Sequence, residues 1–593
     1  MGGLDKAGVI ALLDGMAALL EFHGANPFKS RAFEAAARAL AQVTEPLDML
    51  AAAPGRLESI PGIGKSIGAF IREAVTTGRV EEYERLRADT PPGIFDLMSV
   101  PNLGPKKLRA LYDHLGIKSL EELEAACRDG RVAALKGFGE KTAAKLLAGA
   151  EQVRKHSGKA LLPVALAAAT PLLEAVRACP GVLRADLAGS LRRRKEVIGD
   201  IDIVAAAESS ETVMEIFRNH PSAAEVLVTG PTKTSIRLRN GMQADLRVVR
   251  DVEYPAALQY FTGSKEHNTQ LRGRARRLGL RVNEYGVFRV DPNSKEEPRE
   301  ADRLPVKDER ELYRLLSLAE IPPELREGMG ELDAAAQGAL PELVTMADYR
   351  GVLHCHSTWS DGTASIRDMA LAARDIHGLE FIAICDHSEV AAYARGVKRG
   401  DIARQQAEIE ALNADPALGG IRVLKSCECD VLPDGSLDYP NEILASMDLV
   451  VASIHSRFNM TGAEMTNRLL RAIENPYTSI LGHISGRILL GREGYELDYE
   501  QVFRRAAECR TIIEINCDPH RLDLDWRLCR RAKELGVLFA VNPDAHSVEG
   551  LSNIQLGIWI ARKGWLTKHD IVNCLPLPRF LQRMAAIRKH KGA

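Results

Sequence analysis

The sequence predicts a multidomain protein of mixed α+β and α/β class, with a helical N-terminal region and a C-terminal parallel α/β region. Its 593 residues are too many for one hydrophobic core and suggest roughly four domains. Residues 1–155 are rich in alanine and leucine and repeat one pattern of a glycine turn followed by a helix. Ten of the 15 histidines lie after residue 350. There, apolar strand-like runs alternate with helical segments, as in a parallel sheet or barrel.

The composition is that of a globular protein, with 46% hydrophobic and 27% charged residues. A formal net charge of -2 excludes a uniformly basic nucleic-acid coat but allows local basic grooves. No apolar run reaches the roughly 20 residues of a membrane helix, and the N-terminus has no secretory pattern. We therefore expect a cytoplasmic chain without a membrane partner. The 10 cysteines show no disulfide-like framework, so we expect reduced thiols.

Three segments of the N-terminal region share a tight turn that enters a helix: IPGIGKSIGAFI, VPNLGPKKLRAL and LKGFGEKTAAKL. Glycine permits the turn, and the first amides of the following helix can bind an anion. One copy would more often be a plain chain reversal, but three copies with lysines favour binding of the DNA backbone. The pattern resembles the helix-hairpin-helix. The candidate DNA-binding residues are Gly62, Gly64, Lys65, Gly104, Lys106, Lys107, Gly137, Gly139 and Lys141.

The stretch IGDIDIV places Asp200 and Asp202 on one face of a predicted strand, because side chains alternate along a strand. A third carboxylate, Asp245, lies in the strand-like MQADLRVV. Three aspartates on adjacent strands can bridge two Mg2+ or Mn2+ ions about 4 Å apart. An edge strand with its polar face in water is the alternative. Upstream, GSLRRR ends a strand with a glycine-serine turn and three arginines, which suits phosphate binding.

Nine histidine and carboxylate side chains follow β-branched or apolar runs in the C-terminal half, where barrel strands deliver side chains to one rim. A single histidine at a strand end is usually structural, but an HxH pair with further motifs is difficult to obtain by chance. Nitrogen and oxygen ligands suit a cluster of two or three Mn2+, Zn2+ or Fe ions that activates water against a phosphodiester. The candidate ligands are His354, His356, Asp361, His387, Glu428, His455, His483, Asp544 and His546.

The segment LAGSLRRRKEVIGDIDIV resembles the nucleotidyltransferase signature of family X DNA polymerases. YFTGSKEHNTQLR and NEYGVF resemble the nucleotide-pocket segments of that family. From residue 262 to 281, six basic residues face one acidic residue, which predicts a DNA-facing surface or a solvated helix face. The resemblance implies a palm and a thumb. It assigns metal binding to Asp200, Asp202 and Asp245, triphosphate contacts to Ser190 and Arg193 with Gly189 forming the turn, the sugar pocket to Tyr260, Phe261 and Gly263, the base contact to Asn268 and a template contact to Arg272.

The C-terminal half resembles the PHP phosphoesterase domain, which implies a distorted TIM-like (βα)7 barrel with a trinuclear centre held by the nine ligands. Cysteines beside these ligands are expected to point into the packing. The expected domains are a lyase-like helix-hairpin-helix domain at 1–88, a fingers-like helix-hairpin-helix domain at 89–155, a nucleotidyltransferase palm at 156–250, a thumb at 251–318, a linker at 319–345 and the PHP domain at 346–593.

The whole chain is similar to bacterial family X DNA polymerases with a C-terminal PHP domain. This resemblance implies a monomer that fills short gaps in base excision repair, acting on gapped or primer-template DNA with deoxynucleoside triphosphates. It also implies 3'-5' exonuclease activity, with AP endonuclease or 3'-phosphatase activity as further options. One departure is Phe70, which stands where lyase-active relatives have a Schiff-base lysine, so we expect weak or absent lyase activity. A DNA-binding repair scaffold and a small-molecule phosphatase are the alternatives.

Overall fold

The computed structural model describes residues 4, 6–41, 43, 45, 47–156, 158–290 and 299–592. The chain divides into two compact units, Met1–Ser157 and Gly158–Ala593. Within the described ranges, no helix combines the length and the apolar character that crossing a bilayer requires. Each unit is described by itself below.

The first unit is helical and contains two hydrophobic cores. Leu13 and Ile71 lie in one core, and Leu108 and Leu146 lie in the other; all four are fully buried. The two cores largely correspond to the two helix-hairpin-helix domains expected at 1–88 and 89–155. The helices are α1 (Lys6–Phe22), α2 (Pro27–Ala41), α3 (Leu47–Ala52), α4 (Lys65–Thr77), α5 (Glu81–Ala88), α6 (Gly93–Met98), α7 (Pro105–Leu115), α8 (Leu120–Arg128), α9 (Arg131–Ala134) and α10 (Gly139–His156).

The palm of the second unit is a five-stranded sheet with the strand order β2-β4-β7-β6-β5. Strands β4 and β7 are parallel, whereas the other neighbours are antiparallel. Apolar side chains of β4 and β7 pack against α11 and α13. The elements are β1 (Ala160–Leu161), α11 (Leu162–Arg177), β2 (Val182–Leu187), α12 (Gly189–Arg192), β3 (Val197–Ile198), β4 (Asp200–Ala207), α13 (Ser210–Arg218), β5 (Ala223–Thr229), β6 (Lys233–Leu238) and β7 (Gln243–Val249).

The thumb combines helices with a three-stranded sheet of order β10-β9-β8. In the segment 319–345, which we expected to be a linker, Arg326 and Glu331 are fully buried and Arg326 pairs with Glu309 at 2.5 Å. The elements are α14 (Tyr254–Thr262), α15 (Lys265–Arg277), β8 (Leu280–Asn283), β9 (Gly286–Arg289), β10 (Arg303–Leu304), α16 (Glu309–Leu315) and α17 (Glu331–Ala336).

The C-terminal part is a nearly closed barrel of seven parallel strands, in the order β11 to β17, which confirms the predicted fold class. A parallel bridge between Cys355 and Ala545 joins its first and last strand ends. Helix α25 contributes Phe580 and Met584 to the inner core. The elements are β11 (Gly351–Cys355), α18 (Ile366–Asp375), β12 (Phe381–Ile384), α19 (Ile402–Ala414), β13 (Arg422–Asp430), α20 (Asn441–Ala445), β14 (Leu449–Ser453), α21 (Gly462–Glu474), β15 (Ile480–Leu481), α22 (Tyr499–Cys509), β16 (Ile512–Asn516), α23 (Trp526–Glu534), β17 (Phe539–Asn542), α24 (Ile554–Lys563) and α25 (Leu577–His590).

The barrel packs directly on the palm through α23 and α24. Lys563, which is 1% exposed, donates to the carbonyl oxygen of Arg193 at 3.0 Å and pairs with Glu327. The indole nitrogen of Trp526 donates to Glu196 at 3.0 Å. A barrel lysine and a barrel tryptophan are therefore bonded to the palm segment that follows the glycine-serine turn.

Candidate metal centres and nucleotide pocket

All nine predicted ligands of the barrel meet at the ends of its parallel strands. His354 lies in β11 and Glu428 near the end of β13, while the other ligands lie in the loops after β11, β12, β14, β15 and β17. The carboxyl ends of parallel strands share one rim, so residues far apart in sequence converge there. His354, His356, Glu428 and His483 are almost completely buried.

Three overlapping groups of these side chains can each hold a metal ion. Within each group the ligand atoms lie within 4.8 Å of one another. His356, His387 and Glu428 each belong to two groups, so neighbouring ions would share ligands. His483 adjoins the third group, with its Nε2 2.9 Å from Glu428 Oε1. The groups are His356, Asp361, His387 and His546; His354, His356, Glu428 and Asp544; and His387, Glu428 and His455.

Several histidine ring nitrogens in the cluster lack hydrogen-bond partners in the described ranges, which indicates whether these residues could bind a metal ion. Nε2 of His354, Nδ1 of His356 and Nδ1 of His483 are buried and have no hydrogen-bond partner among the described residues. An unsatisfied buried polar atom is costly, and a metal ion would satisfy it. The residues therefore fit a polynuclear centre of nitrogen and oxygen ligands.

The electrostatics of the cluster are strongly coupled. Burial would raise the pKa of Glu428, but the charges of His455, His354 and His387 hold it well below its usual value. Burial opposes protonation of His455, yet Glu428 and a second carboxylate raise its pKa to about 10. For His356, burial and the neighbouring histidines lower the pKa to about 3. Without metal, these directions place a proton on His455 rather than on Glu428, and binding of a cation there must displace that proton.

Two carboxylates outside the predicted ligand set orient the histidines. Glu514 Oε1 lies 2.7 Å from Nδ1 of His354, and Asp430 Oδ1 lies 3.2 Å from Nδ1 of His455. Such outer partners fix the ring orientation of a metal-binding histidine. Glu514 stands in IEINCDPHRLDL, which resembles the PHP form fused to bacterial family X polymerases, but sequence reasoning assigned it no role; Asp430 stands in CECDV, where strand alternation was the only signal.

The four cysteines beside the ligands are buried in apolar packing. Cys355, Cys427 and Cys429 belong to the large core around the barrel, and Cys385 belongs to the inner core. In the described part of the chain, none of the three ligand groups contains a cysteine. The donor set is therefore nitrogen and oxygen, as the sequence predicts.

The palm carboxylates lie on the paired strands β4 and β7. Asp202 stands directly opposite Asp245 in the parallel register, and Asp200 precedes Asp202 by two residues on the same face. Burial, together with the charges of Asp200 and Asp245, raises the pKa of Asp202 to about 7. A cation that binds beside Asp202 would favour the ionised form of its carboxylate. The arrangement therefore fits divalent metal binding.

Lys233 is a further palm residue that sequence reasoning missed. Its Nζ lies 2.5 Å from Oδ2 of Asp245. Burial would raise the pKa of Asp245, but hydrogen bonds from Lys233 and Gln243 lower it. Lys233 begins β6, two residues before the residue that pairs with Asp245. The ammonium group of Lys233 therefore contacts one side of the Asp245 carboxylate.

The glycine-serine turn brings the backbone against the carboxylates. Gly189 has a φ of +60°, and a Cβ atom there would lie 2.1 Å from Oδ2 of Asp202. The guanidinium of Arg193 donates to the carbonyl of Thr262 at 2.6 Å and pairs with Glu327 at 3.1 Å. Ser190 is half-buried within α12. The turn, the arginine and the carboxylates therefore border one site.

The predicted nucleotide pocket is formed where α14 meets α15. The rings of Tyr260 and Phe261 contact edge to face, with centroids 5.2 Å apart. Gly263 ends α14 with a φ of +70°, and a Cβ there would lie 3.1 Å from Nη1 of Arg193. This close approach connects the pocket to the glycine-serine turn.

The two other residues predicted to contact the nucleotide or the template lie on α15. The amide of Asn268 donates to the carbonyl of Tyr260 at 2.7 Å and accepts from Gln259 at 2.8 Å. Arg272 lies one turn further along α15, is exposed, and donates to the Asn268 carbonyl at 3.3 Å. Asn268 is thus fixed against the sugar-pocket residues, whereas Arg272 faces solvent.

In the helical unit, the three predicted turns precede α4, α7 and α10. Gly64 and Gly104 are the N-caps of α4 and α7, and Gly62, Gly137 and Gly139 have positive φ values. Lys65, Lys106, Lys107 and Lys141 are all exposed near these helix starts. The glycines and lysines therefore have the geometry of an anion-binding turn.

Phe70 of α4 is 4% exposed and its ring meets that of Phe33 edge to face at 5.1 Å. It is a core residue of the first unit. Lys65 is exposed at the first turn of the same helix. The expectation of weak or absent lyase activity stays a prediction.

Comparison with known proteins agrees with this architecture. A family model of the DNA polymerase beta thumb matches residues 257–327. A helix-hairpin-helix domain matches residues 5–80, and a SAM-like helix-hairpin-helix tandem matches residues 94–152. These matches confirm the predicted helix-hairpin-helix and thumb assignments. The thumb match extends into the segment that we expected to be a linker.

Named relatives align with parts of this chain or with nearly all of it. A probable phosphatase of Thermoanaerobacter sp. (strain X514) is 29% identical over 164 residues, which are 26% of this chain and 64% of that protein. A probable phosphatase of Caldicellulosiruptor bescii is 29% identical over 203 residues, or 32% of this chain and 78% of that protein. The DNA polymerase/3'-5' exonuclease PolX of Bacillus subtilis (strain 168) is 37% identical over 576 residues, which are 97% of this chain and 98% of that protein. Because this similarity runs through palm, thumb and barrel alike, the chain belongs to the PolX family of DNA polymerase/3'-5' exonucleases.

Proposed function

We propose that this chain fills short gaps in DNA during base excision repair and removes nucleotides from 3' ends in the same repair events. The observation that carries the proposal is the presence of two separate sets of metal-binding side chains in one chain. Three carboxylates lie on the palm strands, and nine candidate ligands lie on the barrel rim, eight of them in the three groups and His483 beside Glu428. A polymerase and a nuclease need the same substrate, so one DNA end can serve both.

In the palm, Asp200, Asp202 and Asp245 would hold two Mg2+ or Mn2+ ions. Bound there, such ions lower the pKa of the primer hydroxyl and neutralise the departing pyrophosphate. The chain's own contribution is positioning. Gly189 lets the backbone approach the triphosphate, and Arg193 offers a guanidinium fixed by two other bonds.

On the thumb side, Tyr260, Phe261 and Gly263 would line the sugar pocket. Asn268 would contact the base of the incoming nucleotide, because its amide is fixed beside that pocket. Arg272 is exposed and would contact the template strand. A pre-positioned pocket reduces the entropy lost when the nucleotide is ordered.

In the barrel, the nine ligands would hold two or three Mn2+, Zn2+ or Fe ions. Such ions, once bound, polarise a phosphodiester and supply an ionised water at neutral pH. Glu514 and Asp430 orient the histidine rings, and burial keeps competing solvent away from His354 and His356. Nitrogen and oxygen donors are compatible with each of these metals.

We assign DNA binding to the three glycine turns and their lysines. Backbone amides at helix starts bind phosphate without reading the base sequence. We propose gapped or primer-template DNA and deoxynucleoside triphosphates as the substrates. We also propose that the chain works as a monomer in the cytoplasm, since one chain supplies every ligand and all ten cysteines are free thiols.

A second activity of the barrel is favoured by its similarity to probable phosphatases. The same centre would then act on a 3'-terminal phosphate or an abasic end, as a 3'-phosphatase or AP endonuclease. A pure repair scaffold is disfavoured, because both ligand sets are complete. A small-molecule phosphatase is disfavoured by the DNA-binding unit; faster turnover of a free phosphomonoester than of a DNA end would revive it.

One experiment tests both halves. A labelled gapped duplex is incubated with and without nucleotides, first in Mg2+ and then in Mn2+. Asp202→Ala is expected to abolish primer extension and leave the exonuclease intact, whereas His356→Ala is expected to do the reverse. Primer extension by Asp202→Ala at the wild-type rate would refute the palm assignment, and shortening of the primer by His356→Ala at the wild-type rate would refute the barrel assignment.

A further inference from the structure

An exposed tyrosine stands over the barrel metal cluster. Tyr393 is 69% exposed, although its ring centroid lies only 6.0 Å from that of His387 and 6.1 Å from that of His455. Both of these histidines are candidate ligands. An exposed aromatic ring beside a polar metal centre forms no part of the core and is available to a ligand.

The loop that carries Tyr393 is held rigidly. It leaves the barrel after His387 and returns at Val397, whose amide donates to the His387 carbonyl at 2.8 Å. Ala391 and Ala394, on either side of the tyrosine, are each 1% exposed. Their burial anchors the loop on the barrel, so that the ring of Tyr393 is directed away from the core. Packing of the loop backbone therefore places the Tyr393 side chain beside the metal cluster.

The charge of a basic group, Arg521, also acts on Tyr393 at the exposed side of the metal cluster, which we call its mouth. The charged groups that act on the Tyr393 hydroxyl are the cluster carboxylates Asp430, Glu428 and Asp361 and the guanidinium of Arg521. In the described part of the chain, no carboxylate forms an ion pair with the half-buried Arg521. The mouth of the cluster therefore combines an open aromatic face with an uncommitted positive charge.

We propose that Tyr393 stacks on the 3'-terminal base of single-stranded DNA and that Arg521 contacts a phosphate of the same strand, so that together they present the terminal phosphodiester to the metal cluster. This inference rests on the proposed exonuclease function of the barrel. A nuclease that cleaves the last phosphodiester has to hold an unpaired terminal nucleotide, and aromatic rings do so for any base because every base has a π-face.

The chemistry distinguishes this site from one for small phosphate esters. A free phosphomonoester offers no base to an aromatic platform, so the tyrosine would contribute nothing to its binding. A DNA end offers both a base and a chain of phosphates. The aromatic ring, with its centroid 6.0 Å from that of His387, matches the base, and the guanidinium matches the phosphates of a DNA end.

The test compares two oligonucleotides that differ only in the base of the 3'-terminal nucleotide. One ends in thymidine and the other in an abasic tetrahydrofuran, and both are digested in Mn2+. Wild type is expected to show a KM about 10-fold or more lower on the thymidine end, since stacking of one base contributes on that scale. Tyr393→Ala is expected to lose this discrimination and to have the wild-type abasic KM on both substrates. Tyr393→Phe is expected to keep it.

Val390→Ala is the matched control, because Val390 is 51% exposed on the same loop but has no aromatic ring. Its KM values are expected to equal those of wild type. Arg521→Ala is expected to raise the KM on both substrates by a similar factor, because a phosphate contact does not depend on the base. Primer extension by the same preparations reports whether each variant is folded.

Three results would overturn the inference. Tyr393→Ala could retain full discrimination between the two ends, or it could lose the same factor on both, as a structural role would require. Tyr393→Phe could fall as far as Tyr393→Ala, which would assign the effect to the hydroxyl. If wild type digests neither oligonucleotide, the proposed exonuclease function fails, and that outcome differs from all three.

Discussion

Gly189 allows a single methyl group to test the palm site. A Cβ atom there would lie 2.1 Å from Oδ2 of Asp202. Non-bonded atoms rest about 3.5 Å apart, so the carboxylate would have to retreat by roughly 1 Å or more. The backbone of Gly189, with a φ of +60°, adds a strain of about 1–2 kcal/mol for any residue with a side chain. A displacement of this size at a catalytic group costs about 100-fold, so Gly189→Ala is expected to lower the rate of primer extension about 100-fold.

The assay is single-turnover primer extension on a gapped duplex, with digestion of a single-stranded oligonucleotide as the internal reference. Gly199→Ala is the matched control. Gly199 directly precedes Asp200, and the space that a Cβ would occupy there is open. Its extension rate is expected to stay within about 3-fold of wild type. Gly189→Ala should digest the oligonucleotide normally, because the nuclease ligands lie in the barrel.

Two outcomes would refute the reasoning. Extension by Gly189→Ala at the rate of Gly199→Ala would show that the carboxylate of Asp202 does not need its present position. An equal fall of extension and digestion would show that the methyl group damages the whole second unit rather than the palm site.

Three further predictions concern metal, outer-shell and lyase chemistry. Burial and two acidic neighbours raise the pKa of Asp202 to about 7, so protons compete with metal ions for this carboxylate below that pH. The Mg2+ concentration for half-maximal primer extension should therefore fall as the pH rises towards 7 and then level off. A Mg2+ requirement that does not change with pH would contradict this. Glu514→Gln replaces the carboxylate whose Oε1 lies 2.7 Å from Nδ1 of His354 with a neutral amide and should weaken metal binding about 10- to 100-fold by calorimetry, with primer extension unchanged; unaltered affinity would exclude an orienting role for the carboxylate charge. Borohydride should trap no adduct on an incised abasic site, because Phe70 occupies the nucleophile position; an adduct that Lys65→Ala abolishes would prove the opposite.

The nine barrel ligands could be predicted because each belongs to a short motif at the end of an apolar run. Parallel strands end at one rim, so a one-dimensional pattern was enough to bring His354 and His546 together. Glu514 and Lys233 could not be assigned in this way. Their roles depend on which neighbour the strand order places beside them, and periodicity within one strand carries no information about that order.

The arginines after the glycine-serine turn show a second limit. The sequence suggested phosphate contacts for these arginines but not their protein partners: Arg192 pairs with Glu309 at 2.6 Å, and Arg193, which we propose as a triphosphate contact, pairs with Glu327 at 3.1 Å. The glutamates lie more than a hundred residues further along the chain. Tertiary packing selects such partners, so composition near the motif could not identify them.

The contacts of Lys563 with the Arg193 carbonyl and with Glu327 have a practical consequence. A chain cut before the barrel would leave the buried Glu327 without its lysine and Glu196 without the indole of Trp526. The part that copies DNA therefore depends for these contacts on the part that degrades it.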